Sequence, residues 1–263
     1  MSKTIGFNVS NKIVLIIGGA SGLGIELVRE CLRRGAKGVG MADISEREGK
    51  KWQTQLQQEY GESKICYIKM DVTNKTQVDA TFSAIILYFK YLDIVINTAG
   101  VFDDNHWESS MLINFNGCIN VILFALHYLK NNISTDSGLL ILFSSSNALE
   151  KCPSVPLYSA AKLGVVSMAR SFGHPKYFEQ TKIRVIAIAP GLTESPILLD
   201  YNSRCLTPVY ARMNAEYIRD EVIQKIDYLL ESTFDIINSA STGSIWVIKD
   251  NAFSFEFRFE RLL

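Results

Sequence analysis

Ile13-Val14-Leu15-Ile16-Ile17-Gly18-Gly19-Ala20-Ser21-Gly22-Leu23-Gly24-Ile25-Glu26-Leu27-Val28-Arg29-Glu30-Cys31-Leu32 is the stretch whose reading decides the fold. Its first five residues are all apolar, the pattern of a short strand covered on both faces. Gly18, Gly22 and Gly24 follow, and a helical run begins among them. Three glycines at this spacing are a weak signal alone. Between a buried strand and a helix they gain meaning, because missing side chains let a pyrophosphate approach the backbone amides at the helix N-terminus.

Asp43 stands nineteen residues after Gly24, at the end of the second apolar run Gly38-Val39-Gly40-Met41-Ala42. A carboxylate there can accept hydrogen bonds from both hydroxyls of an adenosine ribose, and its charge repels a 2′-phosphate. Ser21 and Ile44 occupy the places where a compensating base would sit, and Arg47 is the nearest base able to swing in. NAD rather than NADP is therefore expected. Asp43 also reads as a capping residue before a helix that starts near Ser45, which is compatible with the first reading.

Short, mostly continuous apolar runs recur along the chain: Ile13 to Ile17, Gly38 to Ala42, Ile65 to Met70, Asp93 to Asn97, Gly138 to Phe143, Ile183 to Ala189 and Ser244 to Ile248. Helical stretches separate them, around Gly22 to Arg34, Glu46 to Glu59, Lys75 to Phe89, Ser110 to Leu129, Leu157 to Phe172 and Ala215 to Leu230. Alternating strand and helix predict an α/β fold with a doubly wound, seven-stranded, mainly parallel sheet and helices on both faces. No repeat, low-complexity tract or linker divides the chain, so residues 1–263 read as one domain.

The chemistry is carried by Tyr158-Ser159-Ala160-Ala161-Lys162, with Ser145 thirteen residues upstream. Positions four apart share a helix face, so the Lys162 ammonium can lie beneath the Tyr158 phenol and favour its ionised form. A phenol titrates near 10 in water, and a tyrosine acting as a base near neutrality needs adjacent positive charge. The plain alternative for the pair alone is a tyrosine packed on a helix beside a solvated lysine.

The balance of 27 basic against 27 acidic residues leaves no electrostatic footprint for nucleic acid. Met1 to Gly6 contain no apolar signal region, and the greasy stretch Cys118 to Leu129, interrupted by Asn120 and His127, reads as too short to span a bilayer. A cytoplasmic protein without membrane partners is expected. Cys31, Cys66, Cys118, Cys152 and Cys205 have no metal-ligand spacing, and His106, His127 and His174 form no constellation with them. Free thiols and no catalytic metal are expected.

Taken together, Gly18-x3-Gly22-x-Gly24, Asp71-Val72, Asn97-Thr98-Ala99-Gly100, Asn114, Ser145, Tyr158-x3-Lys162 and Pro190-Gly191 resemble the short-chain dehydrogenase/reductase superfamily, in the right order over most of the chain. The thirteen residues between Gly100 and Asn114, with Asp43, make it most similar to the branch of insect alcohol dehydrogenases and 15-hydroxyprostaglandin dehydrogenase. The resemblance implies a Rossmann-type domain. It implies Gly18, Gly22, Leu23 and Gly24 as the phosphate turn, Asp43 and Ile44 at the ribose, and Asp71 and Val72 beside the adenine. Asn97, Ala99 and Gly100 would end the fourth strand near the cofactor, and Pro190, Gly191, Leu192 and Thr193 would face the nicotinamide carboxamide, with Ser195 as a helper.

The resemblance also assigns the catalytic set. Asn114 would kink its helix and hold a water linking the lysine to solvent, and Ser145 would bond the substrate oxygen. Tyr158 would take the alcohol proton, and Lys162 would bond the nicotinamide ribose and lower the tyrosine pKa. Ser144 and Ser146 are the fallbacks for Ser145. Ile17 replaces the family's usual threonine before the first glycine, and Thr98 its second asparagine. The intact set argues against the alternative of an NAD-binding member that serves as a binding or structural protein.

A substrate wall is expected from Ser146 to Val155 and from about Leu192 to Arg212, where Leu198, Leu199, Tyr201, Leu206, Val209 and Tyr210 are apolar or aromatic. That composition predicts a hydrophobic secondary alcohol or its ketone as the small-molecule substrate. Phe253, Phe255, Phe257 and Phe259 alternate with Ser254, Glu256, Arg258 and Glu260. Period two gives the tail, residues 252–263, one aromatic face, to be covered by the subunit, by a partner, or by adding a strand to its own sheet. The resemblance further implies a homodimer, or a tetramer, built mainly on the helices beginning near Ser110 and Leu157.

Overall fold

In a computed structural model, the structure describes residues 7–134, 137–152 and 154–259. Seven strands run parallel: β1 (Ile13–Ile17), β2 (Gly38–Asp43), β3 (Ile65–Lys69), β4 (Ile94–Asn97), β5 (Gly138–Phe143), β6 (Ile183–Pro190) and β7 (Ile245–Ile248). An eighth, β8 (Phe255–Phe257), pairs antiparallel with β7, and the order is β3-β2-β1-β4-β5-β6-β7-β8. The Rossmann-like fold agrees with the sequence, with one strand more than the seven expected. The alternating tail supplies it, as the extra edge strand; Glu260 to Leu263 and Met1 to Gly6 lie outside the described residues.

Within β1, Val14 and Ile16 belong to the core on one face of the sheet, and Ile13, Leu15 and Ile17 to the core on the other. That is why the strand is apolar throughout. Helices α1 (Gly22–Arg33), α2 (Glu46–Tyr60) and α3 (Lys75–Phe89) return the chain between the first four strands. β1 is bonded to β2 on one side and β4 on the other, so the winding reverses there and a crevice opens beyond the carboxyl ends of these strands.

The stretch expected as a helix from Ser110 to Leu129 is α4 (Trp107–Met111), a π-helical segment Leu112–Gly117, and α5 (Cys118–Asn132). Trp107–Asn131 is thus a continuous 25-residue helix with mean hydropathy 1.6 in its most apolar window, long and apolar enough by length and composition to cross a bilayer. This corrects the shorter sequence reading. Half of that window is buried inside the fold. After α6 (Pro156–Phe172) the structure adds a short α7 (Pro175–Thr181), started by Pro175 and by the His174 ring, whose Nδ1 accepts from the Lys176 amide.

The helix expected from Ala215 to Leu230 is instead two, α8 (Pro208–Asp220) and α9 (Ile226–Ser239). Gln224 causes the break. Its amide donates to Leu192 O at 2.8 Å, its carbonyl accepts from Glu194 at 3.0 Å, and its side-chain Nε2 donates to Thr193 Oγ1 and Ile248 O, each at 2.9 Å. These bonds tie the segment to the loop after β6.

Candidate active site

The turn between β1 and α1 is tight because Gly18 takes φ 78° and Gly24 comes against it. A Cβ on Gly24 would lie 1.9 Å from Gly18 O. Gly22 and Leu23, the first residues of α1, face a cavity of about 690 Å³, and the Ser21 side chain makes no capping bond to that helix. Donor amides at a helix start, with the positive end of its dipole, suit a phosphate group.

Asp43 lies at the carboxyl end of β2 and is 8% exposed. One carboxylate oxygen accepts from the Ala20 amide and the other from the Ser45 amide, both at 2.9 Å. The group is thereby fixed in the cavity wall beside Ile44, Asp71 and Val72. Asp71 also bonds the amide and hydroxyl of Thr73, which shapes the turn after β3. An anion-binding turn and a fixed carboxylate on one crevice fit the phosphates and adenosine ribose of a nicotinamide dinucleotide.

The same cavity is lined by Ser145, Tyr158 and Lys162, and by Ala99, Gly100, Pro190, Gly191, Leu192 and Thr193. Pro156, in the first turn of α6, starts the helix that carries the tyrosine and the lysine. The Ser145 hydroxyl accepts from the Asn147 amide at 3.3 Å and is close enough to the Tyr158 phenol to favour its ionised form. Ser144 also lines the cavity, but its hydroxyl is committed to Lys162 O at 2.8 Å, and Ser146 is outside the cavity lining. Of the three serines, Ser145 has the hydroxyl at the phenol.

Lys162 is 5% exposed; its ammonium donates to Phe143 O at 3.0 Å and lies 5.7 Å from the centre of the Tyr158 ring. Burial pushes it down to about 8, against a smaller upward pull from Cys118. Burial likewise pushes Tyr158 up to about 12, opposed by the nearby Ser145 hydroxyl and reinforced by the charges of Asp104 and Cys152. The pair arithmetic of the sequence expected Lys162 to hold the phenol low. Desolvation outweighs it among this chain's own groups, so further positive charge is needed before the phenol ionises near neutrality.

Asn97 and Asn114 do not line the cavity; they stand behind its wall. Asn97 Oδ1 accepts from the Ala99 amide at 3.3 Å. Asn114 sits in the π-helical segment, where its Oδ1 accepts from the Val101 amide and its Nδ2 donates to Val101 O, each at 2.8 Å. A Cβ on Gly100 would meet Asn114 Oδ1 at 2.9 Å and Lys162 Nζ at 3.2 Å, so the glycine lets both side chains close on one point. Helix distortion and asparagine together pin the strand end beneath the lysine.

The expected substrate wall is formed in part. Asn147, Leu192, Ser195, Leu198 and Tyr201 line the cavity, whereas Leu199 and Val209 are exposed and Leu206 and Tyr210 do not line it; Val209 and Tyr210 belong to α8. Pro153, within the first expected segment, lies outside the described residues. Sequence reasoning missed Phe102. Its ring stacks on Tyr201 at 4.3 Å between centroids and meets Tyr158 edge-on at 5.2 Å. The signal available was an apolar residue two places after Asn97-Thr98-Ala99-Gly100.

Comparison with known proteins agrees with this geometry. Residues 12–205 match the family model described as short chain dehydrogenase. The chain is 29% identical to "Alcohol dehydrogenase 2" of Ceratitis cosyra over 91% of its own length and 92% of that protein's. It is 31% identical to the 15-hydroxyprostaglandin dehydrogenase (NAD+) of Bos taurus over 73% and 71%. The fold superposes on the crystal structure of levodione reductase with a TM-score of 0.78 at 21% identity, covering 91% of this chain and 96% of that one. The glycine turn, the Ser145, Tyr158 and Lys162 cluster and the family match therefore converge: the chain belongs to the short-chain dehydrogenase family of oxidoreductases.

Proposed function

We propose that this chain is an NAD-dependent dehydrogenase that interconverts a hydrophobic secondary alcohol and its ketone, with Tyr158 as general acid and base. The observation that carries the reading is that Ser145, Tyr158 and Lys162 share one cavity with the glycine turn and Asp43. Asp43 at the ribose position supports NAD over NADP, and the nearest base, Arg47, points its side chain into solvent beside Glu48.

When bound, the nicotinamide ring supplies the hydride acceptor and a positive charge beside the phenol. The protein does the rest. Ser145 donates to the substrate oxygen and Tyr158 takes its proton as the carbonyl forms. Lys162 sets a second positive charge beneath the phenol and offers donors to the nicotinamide ribose, and Asn114 holds the strand end against which the lysine packs. Gly18, Gly22, Leu23 and Gly24 cradle the phosphates, and Pro190, Gly191, Leu192 and Thr193 flank the nicotinamide.

Phe102, Leu198 and Tyr201 support an apolar substrate. Exposed Leu112, Leu123 and Leu163 on the helices from Trp107 and Pro156 support a homodimer built on that face. NADH formation from short aliphatic, terpenoid, steroid and hydroxy-fatty-acid alcohols tests the substrate class. Preferential turnover of the hydrophobic secondary alcohols is expected, and a profile favouring small charged polyols would overturn it.

A further inference from the structure

Asp104 belongs to none of the motifs, yet it is 0% exposed and touches the helix that carries the reacting tyrosine. One carboxylate oxygen accepts from the Tyr158 amide at 2.8 Å and the other from the Leu157 amide at 3.0 Å. These are orphan donors of the first turn of α6, so a side chain from the loop after β4 caps a helix 53 residues further on. The backbone extends the contact: the amides of Asp104 and Asn105 both donate to Arg204 O, at 2.8 and 3.1 Å. Two residues earlier, Phe102 stacks on Tyr201 and meets Tyr158 edge-on.

The segment 102–105 therefore clamps three parts together: the start of α6, the Tyr158 ring and the cavity loop through Tyr201 and Arg204. We infer that Asp104 is a positioning residue for the dehydrogenase reaction, which fixes Tyr158 against the substrate loop and sets a buried carboxylate at the start of its helix. This inference rests on the proposed role of Tyr158.

The electrostatic half has a definite sign. The groups whose charge or polarity acts on the Tyr158 phenol are Ser145 from the β5 end, Lys162 from its own helix, Cys152 from the loop before α6, Tyr201 from the loop after β6, and Asp104 at the Tyr158 amide. Asp104 is itself faced by Asp103, which pairs with His106, and by Cys205. Burial is the largest influence on the phenol and raises it; Asp104 raises it further. Removing that charge makes the phenol easier to ionise, while removing an acceptor loosens the helix start. A structural cap alone gives the second effect without the first.

The test is a titration of tyrosine Cζ resonances by ¹³C NMR, with the Tyr158 signal assigned by its loss in Tyr158→Phe. It reads the charge effect whether or not a substrate has been found. In Asp104→Asn, near-isosteric but uncharged, the Tyr158 titration should move to lower pH by roughly half a unit or more. In Asp104→Glu, which keeps the charge, it should stay close to wild type. Asp104→Ser, a second uncharged acceptor, decides the matter if Asp104→Asn does not fold. With an alcohol substrate, kcat/KM of the uncharged variants should show the same acid shift of its rising limb together with a lower plateau. An unmoved Tyr158 titration in folded, uncharged variants would overturn the inference. Full turnover in Tyr158→Phe would instead overturn the underlying reading and leave the NMR result standing separately.

Discussion

Lys162 Nζ lies over the Tyr158 ring, 5.7 Å from its centre, while the bond it donates runs to the Phe143 carbonyl at 3.0 Å. The lysine is thus held by the end of β5 and acts on the tyrosine through its charge, with burial opposing that charge at every pH where it is present.

That opposition makes Lys162 a stability switch with a calculable sign. Its folded value is lowered to about 8, so between about pH 8 and the ordinary lysine value the unfolded chain holds a proton that the folded one has released. Wild-type stability should rise through this window relative to Lys162→Met, whose more stable fold at pH 7 loses its advantage by pH 10. The change in the gap is at most about 3 kcal/mol. Above pH 10 Tyr158, raised to about 12, works in the opposite direction, because the folded phenol keeps a proton the unfolded one loses. Urea unfolding of the two proteins at pH 7, 8.5 and 10 checks this; a constant gap would refute it.

Asp43→Ala should leave the fold intact and change the cofactor. The Ala20 and Ser45 amides lose their acceptor, and on the proposed reading the ribose would lose a charged partner for its hydroxyls. We expect KM for NAD to rise about tenfold or more, with the NADP to NAD ratio of kcat/KM moving toward NADP. An unchanged ratio would count against the ribose role.

Two glycines of the same turn should fail in different ways. Alanine at Gly24 drives a methyl to within 1.9 Å of Gly18 O, so the turn must open, at about 3 kcal/mol or more in urea unfolding. Alanine at Gly22 meets only Pro196 Cδ, at an ordinary contact distance of 3.7 Å, and its φ of 50° is the strain, costing about 1 kcal/mol. Gly22→Ala should therefore fold yet bind NADH poorly by fluorescence titration, since its methyl enters the cavity wall. Equal stability losses in the two variants would contradict this geometry.

Removing the residues after Asn251 strips β8 from β7, together with Phe257, which packs on the core, and Phe259, whose ring lies 4.2 Å from the Arg170 guanidinium. The exposed β7 edge should lower Tm by several degrees and promote association, read by thermal scanning and light scattering. An unchanged melting curve and particle size would show that the tail does not cover that edge.

The strands were legible because a sheet buried on both faces leaves continuous apolar runs, and the glycine turn because close backbone approach admits no other residue at Gly24. The break between α8 and α9 was not. Glu221 to Lys225 contain no glycine or proline, and the interruption comes from Gln224 bonding across to Leu192, Thr193 and Ile248. Asp104 was hidden for the same reason, since its partners are amides 53 and 54 residues away. Spacing placed Tyr158 beside Lys162 but carried no information on desolvation, which dominates both groups.

The most direct test of the account is NADH formation by wild type and Tyr158→Phe, at mildly alkaline pH, with the best alcohol from the hydrophobic panel. A positioned base contributes about 10²- to 10⁴-fold, so the account predicts a loss of that size in kcat with NADH binding retained. A Tyr158→Phe variant that turns the alcohol over at the wild-type rate would contradict it.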